Sequence, residues 1–467
     1  MHTFVALAVA LAAAVASANP SPVQVEANAT PVRRSASLPT VTTRGNAFWA
    51  GSDRFYLKGI DYQPGGSSQL VDPLADESIC QRDIPYMKNL GLNTVRVYSV
   101  DNTANHDFCM NLLAENGIYL VLDVNTPLYS INQDQPEKSY NPYYLQSVFA
   151  TIDEFAQYTN TLAFLSGNEV INAPNNTNAA PFVKAVNRDM KQYIAERGYR
   201  AIPVGYSAAD VVPQQYTLAQ YFDCGDNAYS RADFYGINNY QWCDPSSFDQ
   251  SGWDVLVQQY SNFSIPIFLS EYGCIHPGPR TFAETPVLYS SEMTPSISGG
   301  LVYEFFNQGN GYGIFNLNGN NLSPVGNQYQ YLMTAMQQVS TPSGDGGAMF
   351  NNGPQPCPNQ QQGYWDTGAF TGSALPATPS GAEQFFKNGA GTGPGFGGKG
   401  SQWETGGSSS TASANAGSPT ATSTGSSSGS GSSHHSGAMA SARMDFGPVM
   451  ASGAAIFATF IFGLFAL

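Results

Sequence analysis

Charged residues are scarce in this chain. Only 11% of its 467 residues are Asp, Glu, Lys or Arg, and 34 acidic side chains outnumber 19 basic ones. The net charge of −15 argues against nucleic acid and other polyanions as partners, because these ligands require a basic surface. A neutral polymer is compatible with this composition. No Gly-x-Gly-x-x-Gly turn follows the first apolar run, so nothing predicts a dinucleotide site, and we expect no cofactor and no metal.

Apolar runs at the two ends of the chain indicate processing. Residues 1–18 have the apolar run and small-residue cleavage pattern of a secretory signal, although no Lys or Arg precedes the run. Residues 449–467 are apolar and uncharged, and upstream of them Ser436 and Gly437 form a small-residue site. This arrangement predicts a glycosylphosphatidylinositol (GPI) signal, with attachment at Ser436 or Gly437 and removal of residues 437–467. A transmembrane anchor is the alternative, since nineteen residues could just span a bilayer.

Secretion makes the six cysteines candidates for disulfides, although their spacing alone cannot choose among the possible pairings. It also makes four Asn-x-Ser/Thr sequons candidates for N-glycosylation. These sequons begin at Asn28, Asn175, Asn262 and Asn321. We expect the last three to lie on surface loops.

Eight apolar, β-branched or aromatic runs recur between residues 55 and 306, with helical patterns between several of them. The runs are residues 55–62, 94–100, 119–124, 162–170, 201–207, 232–240, 266–273 and 299–306. Continuous apolar strands that alternate with helices predict a parallel sheet covered on both faces, and eight of them predict a closed (β/α)₈ barrel. An open doubly wound sheet, which needs only five or six strands, is the alternative.

The predicted domain limits follow from these patterns. The barrel occupies residues 46–340 after an N-terminal extension at 19–45, and a C-terminal extension at 341–388 is held by Cys357. Residues 389–436 are rich in Gly, Ser and Thr, which predicts a disordered and O-glycosylated linker.

Two of the predicted strands end in a glutamate. Glu169 closes the run that begins at Leu162, and Glu271 closes the run that begins at Ile265. A single glutamate after an apolar strand often just begins a solvated loop. Functional groups of a (β/α)₈ barrel nevertheless collect at the C-terminal ends of its strands. A pair of carboxyl groups about 5 to 5.5 Å apart is the arrangement of retaining glycosidases, so we interpret these residues as a catalytic pair.

Four motifs resemble a known family, and they lie within residues 48–357. They are Gly59-Ile60-Asp61-Tyr62-Gln63-Pro64-Gly65-Gly66, Arg96-Val97-Tyr98, Gly167-Asn168-Glu169 and Ser270-Glu271-Tyr272-Gly273. Together they resemble glycoside hydrolase family 72, the fungal, lipid-anchored 1,3-β-glucanosyltransferases. Some members carry a second, cysteine-rich carbohydrate-binding module. That module is absent here, because only Cys357 follows Cys274.

The resemblance implies a role for each matching residue. Glu169 would be the general acid/base, Glu271 the nucleophile and Asn168 the partner of the sugar 2-hydroxyl. The other implied substrate contacts are Gln63, Tyr98, Asp123, Tyr240 and Tyr303. The implied disulfides are Cys80–Cys109, Cys224–Cys357 and Cys243–Cys274.

The resulting expectation is a monomeric, retaining β-1,3-glucanosyltransferase on the outer face of the plasma membrane and in the cell wall. It would cleave one 1,3-β-glucan chain internally and transfer the retained fragment to a second chain. Two other functions stay open. A secreted endo-1,3-β-glucanase would use the same glutamates with water as the acceptor. A non-catalytic wall protein would use the linker and anchor without needing both glutamates at strand ends.

Overall fold

The computed structural model describes residues 38–67, 69–210, 214–402, 407 and 411–413. The predicted signal peptide, Asn28, the candidate attachment residues Ser436 and Gly437, and the apolar C-terminal tail lie outside the described residues. Most of the predicted 389–436 linker also lies outside them.

A small antiparallel sheet precedes the barrel. It consists of β1 (Val41–Arg44), β2 (Ala47–Ala50) and β3 (Asp53–Phe55). Phe48 on β2 is fully buried, and its ring lies 5.8 Å from Phe234 and 6.1 Å from Phe268. Those rings belong to the beginnings of barrel strands, so the sheet covers the N-terminal end of the barrel. The predicted domain start at residue 46 falls within this sheet, between β1 and β2, which pair with each other.

The eight predicted strands form a closed parallel barrel, which confirms the (β/α)₈ prediction. They are β4 (Leu57–Tyr62), β5 (Thr94–Val97), β6 (Tyr119–Asp123), β7 (Thr161–Asn168), β8 (Val204–Ala209), β9 (Phe234–Asn239), β10 (Ile267–Tyr272) and β11 (Ile297–Val302). Closure occurs where β11 pairs with β4. Nearly every strand residue is buried, because helices cover the outer face while side chains fill the interior.

In the described part of the chain, ten α-helices connect and follow the strands. They are α1 (Glu77–Asn89), α2 (Asp107–Glu115), α3 (Pro136–Ser139), α4 (Pro142–Phe155), α5 (Ala180–Glu196), α6 (Gln215–Asp223), α7 (Trp253–Tyr260), α8 (Glu284–Leu288), α9 (Gln328–Gln337) and α10 (Glu383–Asn388). Local sequence explains their ends. The carboxylate of Asp76 accepts hydrogen bonds from the first N–H groups of α1, and Asn141 caps α4 with Pro142 at its first position.

The region after the barrel is irregular but packed. A hairpin of β12 (Phe315–Asn318) and β13 (Asn321–Pro324) follows β11, and the short strands β14 (Ala374–Pro376) and β15 (Thr411–Ser413) pair with each other. Residues 389–402 also pack on the barrel, and Ala390 and Ser401 within them are buried. The predicted linker start at residue 389 thus precedes residues that the structure describes as packed. Some glycines of this stretch, such as Gly393 and Gly398, lie in close contact with other residues.

Three disulfides join distant parts of the chain, in the pairing that the resemblance implied. Cys80–Cys109 links α1 to α2, and Cys243–Cys274 links the segments that follow β9 and β10. Cys224–Cys357 ties the C-terminal region to the end of α6 and closes a separation of 133 residues. This last bond fixes the otherwise irregular extension to the barrel.

The three described sequons have exposed asparagines, but not all of them lie on loops. Asn262 lies in a turn before β10, whereas Asn175 is part of a 3₁₀ helix (Pro174–Ala179) and Asn321 begins β13. All three can accept a glycan without a change in packing. Within the described part of the chain, none of the helices is long and apolar enough to span a bilayer.

Candidate active site

Glu271 lies near the C-terminal end of β10, and its carboxylate is held on both oxygens. The phenol of Tyr98 donates to Oε1 at 2.8 Å, and the phenol of Tyr240 donates to Oε2 at 2.6 Å. A guanidinium nitrogen of Arg96 lies 3.4 Å from Oε1. Burial keeps the pKa of Tyr240 well above its ordinary value, so this phenol stays a donor. These donors fix the orientation of Glu271 and stabilise its ionised form.

Arg96 is the cation of the site. Its side chain is fully buried on β5, and two of its nitrogens bind both oxygens of Asp123, at 3.1 and 2.9 Å. A third contact, at 3.2 Å, reaches the carbonyl oxygen of Ser270, and the guanidinium lies 4.1 Å from the centre of the Tyr98 ring. Asp123 was expected to bind substrate. Its bidentate pairing also orients Arg96, which lies 3.4 Å from the Glu271 carboxylate.

The surroundings of Glu271 shift the pKa of its carboxyl in opposite directions. Burial raises the pKa of its carboxyl to about 7, and the negative charge of Glu169 acts in the same direction. Arg96 and the phenols of Tyr240 and Tyr98 act in the opposite direction. The ionised form therefore depends on these three donors, and losing any of them favours the protonated carboxyl.

Glu169 follows β7 and has different surroundings. Its backbone adopts a φ of 51°, which is rare for a residue with a side chain. The side-chain amide of Asn238 donates to its carboxylate at 2.7 Å and to the side-chain carbonyl oxygen (Oδ1) of Asn168 at 3.1 Å. The hydroxyl of Ser207 also donates to that oxygen, at 2.8 Å. Asn168 is thus fixed through its carbonyl oxygen, and its amide N–H groups are left to donate to a ligand.

Three tyrosine rings lie beside the glutamates. Tyr240, Tyr303 and Tyr312 are all partly exposed and contact one another, with ring centres 5.4 to 6.2 Å apart. Tyr303 was expected from the sequence and Tyr312 was not. The cluster offers ring faces and hydroxyl groups together, which are the two features that sugars bind.

A cleft of about 330 Å³ with many polar side chains in its lining lies beside Glu169, and we call it the polar cleft. Its walls contain the expected residues Gln63, Tyr98, Asp123, Asn168 and Glu169. Loop side chains that follow β6 form the opposite wall. All eight residues that the sequence predicted for the site therefore lie at the C-terminal end of the barrel, either around the glutamates or in this cleft.

Within the described residues, no group of His, Cys, Asp or Glu side chains is arranged to hold a metal ion. The arrangement is that of a carboxylate pair with hydrogen-bond donors. The family model described as glucanosyltransferase, of glycoside hydrolase family 72, matches residues 31–340. The chain belongs to glycoside hydrolase family 72.

Curated family 72 proteins from several fungi are similar to this chain. The 1,3-beta-glucanosyltransferase gel1 of Aspergillus fumigatus is 52% identical over 370 residues, which cover 79% of this chain and 80% of that protein. The 1,3-beta-glucanosyltransferase GAS5 of Saccharomyces cerevisiae is 50% identical and covers 78% of this chain and 75% of its own length. The similarity therefore extends beyond the barrel into the C-terminal region.

Solved family 72 structures share the fold. Saccharomyces cerevisiae Gas2p in complex with laminaritriose and laminaritetraose superposes with a TM-score of 0.66 at 38% identity, covering 70% of this chain and 75% of that one. A Glu-to-Gln variant of Gas2p with laminaritetraose and laminaripentaose gives a TM-score of 0.68 at 36% identity, covering 74% and 76%. The barrel is therefore the fold that this chain shares with these solved structures.

Three contacts in this family 72 site were missed from the sequence alone. Asn238 lies two residues before Tyr240 at the end of β9. Arg96 belongs to the motif Arg96-Val97-Tyr98, in which only Tyr98 was predicted to be a site residue. Tyr312 lies beyond the last barrel strand. The position of Asn238 at the end of β9 could have been used to predict it as a site residue. Nothing in the spacing of Tyr312 marks it, because it reaches the site only through the fold of the segment after β11.

Proposed function

We propose that this protein is a retaining 1,3-β-glucanosyltransferase that elongates cell-wall glucan. It cleaves a 1,3-β-glucan chain internally and transfers the new reducing end of the retained fragment to the non-reducing end of another chain. The relatives named for this activity support the proposal at about 50% identity. The single observation that carries it is a buried glutamate held by two phenols and an arginine, beside a second glutamate in a sugar-sized cleft.

In the first step, a carboxylate oxygen of Glu271 attacks the anomeric carbon of the donor. The bond to the glycosidic oxygen breaks, and Glu169 gives its proton to that oxygen as the leaving chain departs. The product is a covalent glycosyl-enzyme. Asn168 is fixed through its carbonyl oxygen and donates an N–H to the sugar 2-hydroxyl, a contact that strengthens as positive charge develops on the sugar.

In the second step, Glu169 acts as a base. It takes the proton of an acceptor hydroxyl, whose oxygen attacks the anomeric carbon and displaces Glu271 as a carboxylate. Two inversions return the original configuration. The phenols of Tyr98 and Tyr240 hold Glu271 while it acts as nucleophile and again while it leaves, so they serve both steps.

Transfer requires that a sugar hydroxyl reaches the glycosyl-enzyme before water does. Acceptor binding beside the anomeric carbon raises the effective concentration of that hydroxyl. The ring cluster of Tyr240, Tyr303 and Tyr312 lies beside Glu271, and Glu169 lines the polar cleft. The two surfaces would bind a donor chain and an acceptor chain.

The decisive experiment incubates the purified protein with a reduced linear 1,3-β-glucan oligosaccharide. We expect products both shorter and longer than the starting chain, as resolved by chromatography or mass spectrometry. If only shorter chains and new reducing ends accumulate at high substrate concentration, the protein is an endo-glucanase and the transferase proposal fails.

The cellular setting belongs to the same proposal. We propose that the mature protein is a monomer, held on the outer face of the plasma membrane by a GPI lipid at Ser436 or Gly437, with glycans on its exposed sequons. A phosphatidylinositol-specific phospholipase should release it from intact cells without the residues 449–467. Recovery of that peptide from the membrane-bound protein would instead favour a transmembrane anchor.

A further inference from the structure

The segment that composition marked as a linker is a strap across the barrel, and we define the C-terminal strap as residues 389–402. At its start the N–H of Ala390 donates to the phenol of Tyr193 at 2.9 Å, and the side-chain amide of Gln146 donates to the carbonyl oxygen of Ala390 at 3.1 Å. Tyr193 lies on α5 and Gln146 on α4. The strap is thus attached to the outer helices before it turns toward the cleft.

Close approach explains the glycines of the strap. A Cβ atom on Gly393 would lie 2.2 Å from the side-chain oxygen of Asn102, and one on Gly398 would lie 2.1 Å from the phenol oxygen of Tyr129. Gly397, by contrast, has no atom within 4 Å of such a Cβ position. The glycines therefore differ in function, and only some of them are needed for contact.

The end of the strap binds one loop. We define the cleft loop as residues 125–133, which follow β6. The N–H of Ser401 donates to the carbonyl oxygen of Leu128 at 3.0 Å. The side-chain amide of Gln402 donates to the carbonyl oxygen and the hydroxyl of Ser130, at 2.8 and 2.9 Å. Asn141, the cap of α4, donates to the carbonyl oxygen of Ser401 at 2.7 Å and so anchors the strap at this point.

The same loop forms a wall of the polar cleft. Thr126, Ser130, Ile131 and Gln133 line it opposite Glu169. Ser130 is therefore contacted on one side by Gln402 of the strap and presented on the other to the cleft. Within the loop itself, Thr126 and Tyr129 exchange backbone hydrogen bonds at 3.0 Å. That turn defines its local shape. The strap holds the middle of the loop, while the phenol of Tyr144 on α4 donates to the side-chain oxygen of Asn125 at 2.6 Å and the side-chain amide of Asn176 donates to the side-chain oxygen of Gln133 at 3.1 Å.

We propose that the C-terminal strap is a positioning element for glucan binding, with Ser401 and Gln402 as positioning residues that hold the cleft loop at the distance a sugar chain requires. This inference rests on the proposed function. It assigns a substrate-binding role to the beginning of the segment that leads toward the predicted anchor. The strap does not touch Glu169 or Glu271, so it acts on substrate affinity rather than on the chemical steps.

The test uses three substitutions in the full chain. Gly398→Ala places a methyl group against Tyr129, Gln402→Ala removes both hydrogen bonds to Ser130, and Gly397→Ala is the matched control with open space. For Gly398→Ala and Gln402→Ala we expect KM for a reduced 1,3-β-glucan oligosaccharide to rise about fivefold, the effect of losing roughly one hydrogen bond's net contribution. We expect kcat to stay within about twofold, because the glutamates keep their donors. Gly397→Ala should match the wild type.

Hydrogen exchange supplies a second readout that does not depend on activity. Amides of the cleft loop should exchange faster in Gly398→Ala and Gln402→Ala, and not in Gly397→Ala. Faster exchange with an unchanged KM would overturn the inference, and so would unchanged exchange in Gln402→Ala. If Gly398→Ala does not fold, Gln402→Ala decides alone. A wild-type protein with no action on the glucan would refute the proposed function itself, and that outcome is visible before any variant is compared.

Discussion

The ends of β7 and β10 carry the same functional group in different surroundings. Glu271 on β10 is only 6% exposed and accepts from Tyr98, Tyr240 and Arg96. Glu169 after β7 is partly exposed, and the side-chain donor to its carboxylate is the amide of Asn238. Each follows a buried apolar strand, so strand position alone does not separate them. The donors do, because two phenols and a guanidinium hold the carboxylate of Glu271, while the carboxylate of Glu169 accepts from the side-chain amide of Asn238.

Removing either carboxyl group should have the largest effect. Glu271→Gln and Glu169→Gln should each lower glucan-transfer activity by about 10⁴-fold without unfolding the protein. A substrate with an acidic phenol as leaving group separates the two roles, because such a group departs without a proton. Glu169→Gln should recover glycosyl-enzyme formation with this substrate, and Glu271→Gln should not. The exposed Glu292→Gln is the control, and equal recovery in both variants would contradict the assigned roles.

The next largest effect concerns the phenols on Glu271. Tyr240→Phe and Tyr98→Phe each remove one donor to the carboxylate and should lower kcat/KM by about 10- to 100-fold, the value of a hydrogen bond to a charged group. Since these phenols lower the pKa of Glu271, removing either raises it. Activity needs the ionised form and is lost as pH falls through that pKa, which lies at about 7, so the acidic limb of the pH–rate profile should move to higher pH. The exposed Tyr143→Phe should leave the profile unchanged, and an acidic limb that stays in place in Tyr240→Phe would refute this account of Glu271.

A smaller effect is expected beside Glu169. Asn238→Ala removes the amide that contacts both Glu169 and Asn168, and we expect a loss of about tenfold in kcat/KM. The neighbouring Asn239→Ala is a matched control. The side-chain amide of Asn239 donates to Asp210, and its side-chain oxygen accepts from the indole N–H of Trp253. The acidic-phenol substrate should reduce the loss in Asn238→Ala. A loss that is the same for both substrates would place Asn238 with binding rather than with proton transfer.

The smallest effect on activity should come from the disulfide that joins the ends of β9 and β10. Cys243–Cys274 and Cys80–Cys109 close similar separations, 31 and 29 residues, so replacing either pair by serine should cost about 3 to 4 kcal/mol of stability in the chain-entropy model. Well below the melting temperature, the Cys243/Cys274 variant should lose a few-fold of activity, because Tyr240 and Glu271 are no longer joined. The Cys80/Cys109 variant should keep its activity. Equal activities would show that the β9–β10 bond only stabilises the fold.

The barrel was predictable because a strand buried on both faces must be a continuous apolar run. The glutamates were predictable because strand ends in a barrel converge on one place. The small N-terminal sheet was not, since β1 to β3 have only three or four residues each and too little pattern to identify. The packing of the strap was not predictable, for a different reason. Composition cannot distinguish a glycine required by contact, such as Gly398, from one in open space, such as Gly397.

The partners of the glutamates show a second limit. Tyr98 and Tyr240 were identified with the help of family resemblance, and the structure places both on Glu271. Asn238 and Arg96 lie at the same strand ends, but their contacts with the glutamates depend on how different strands are placed in the barrel. Hydrogen bonds that join residues 69 or 175 positions apart leave no periodicity in a single sequence.

The Cys243–Cys274 bond has a consequence for the order of events in the life of the protein. It joins the two strand ends that supply Tyr240 and Glu271, and such bonds form only in an oxidising compartment. A newly made chain in the reducing cytosol would therefore have its carboxylate and its phenol without the covalent link between their loops. The final positioning of these two loops would then be completed only after the chain has left the cytosol for an oxidising compartment.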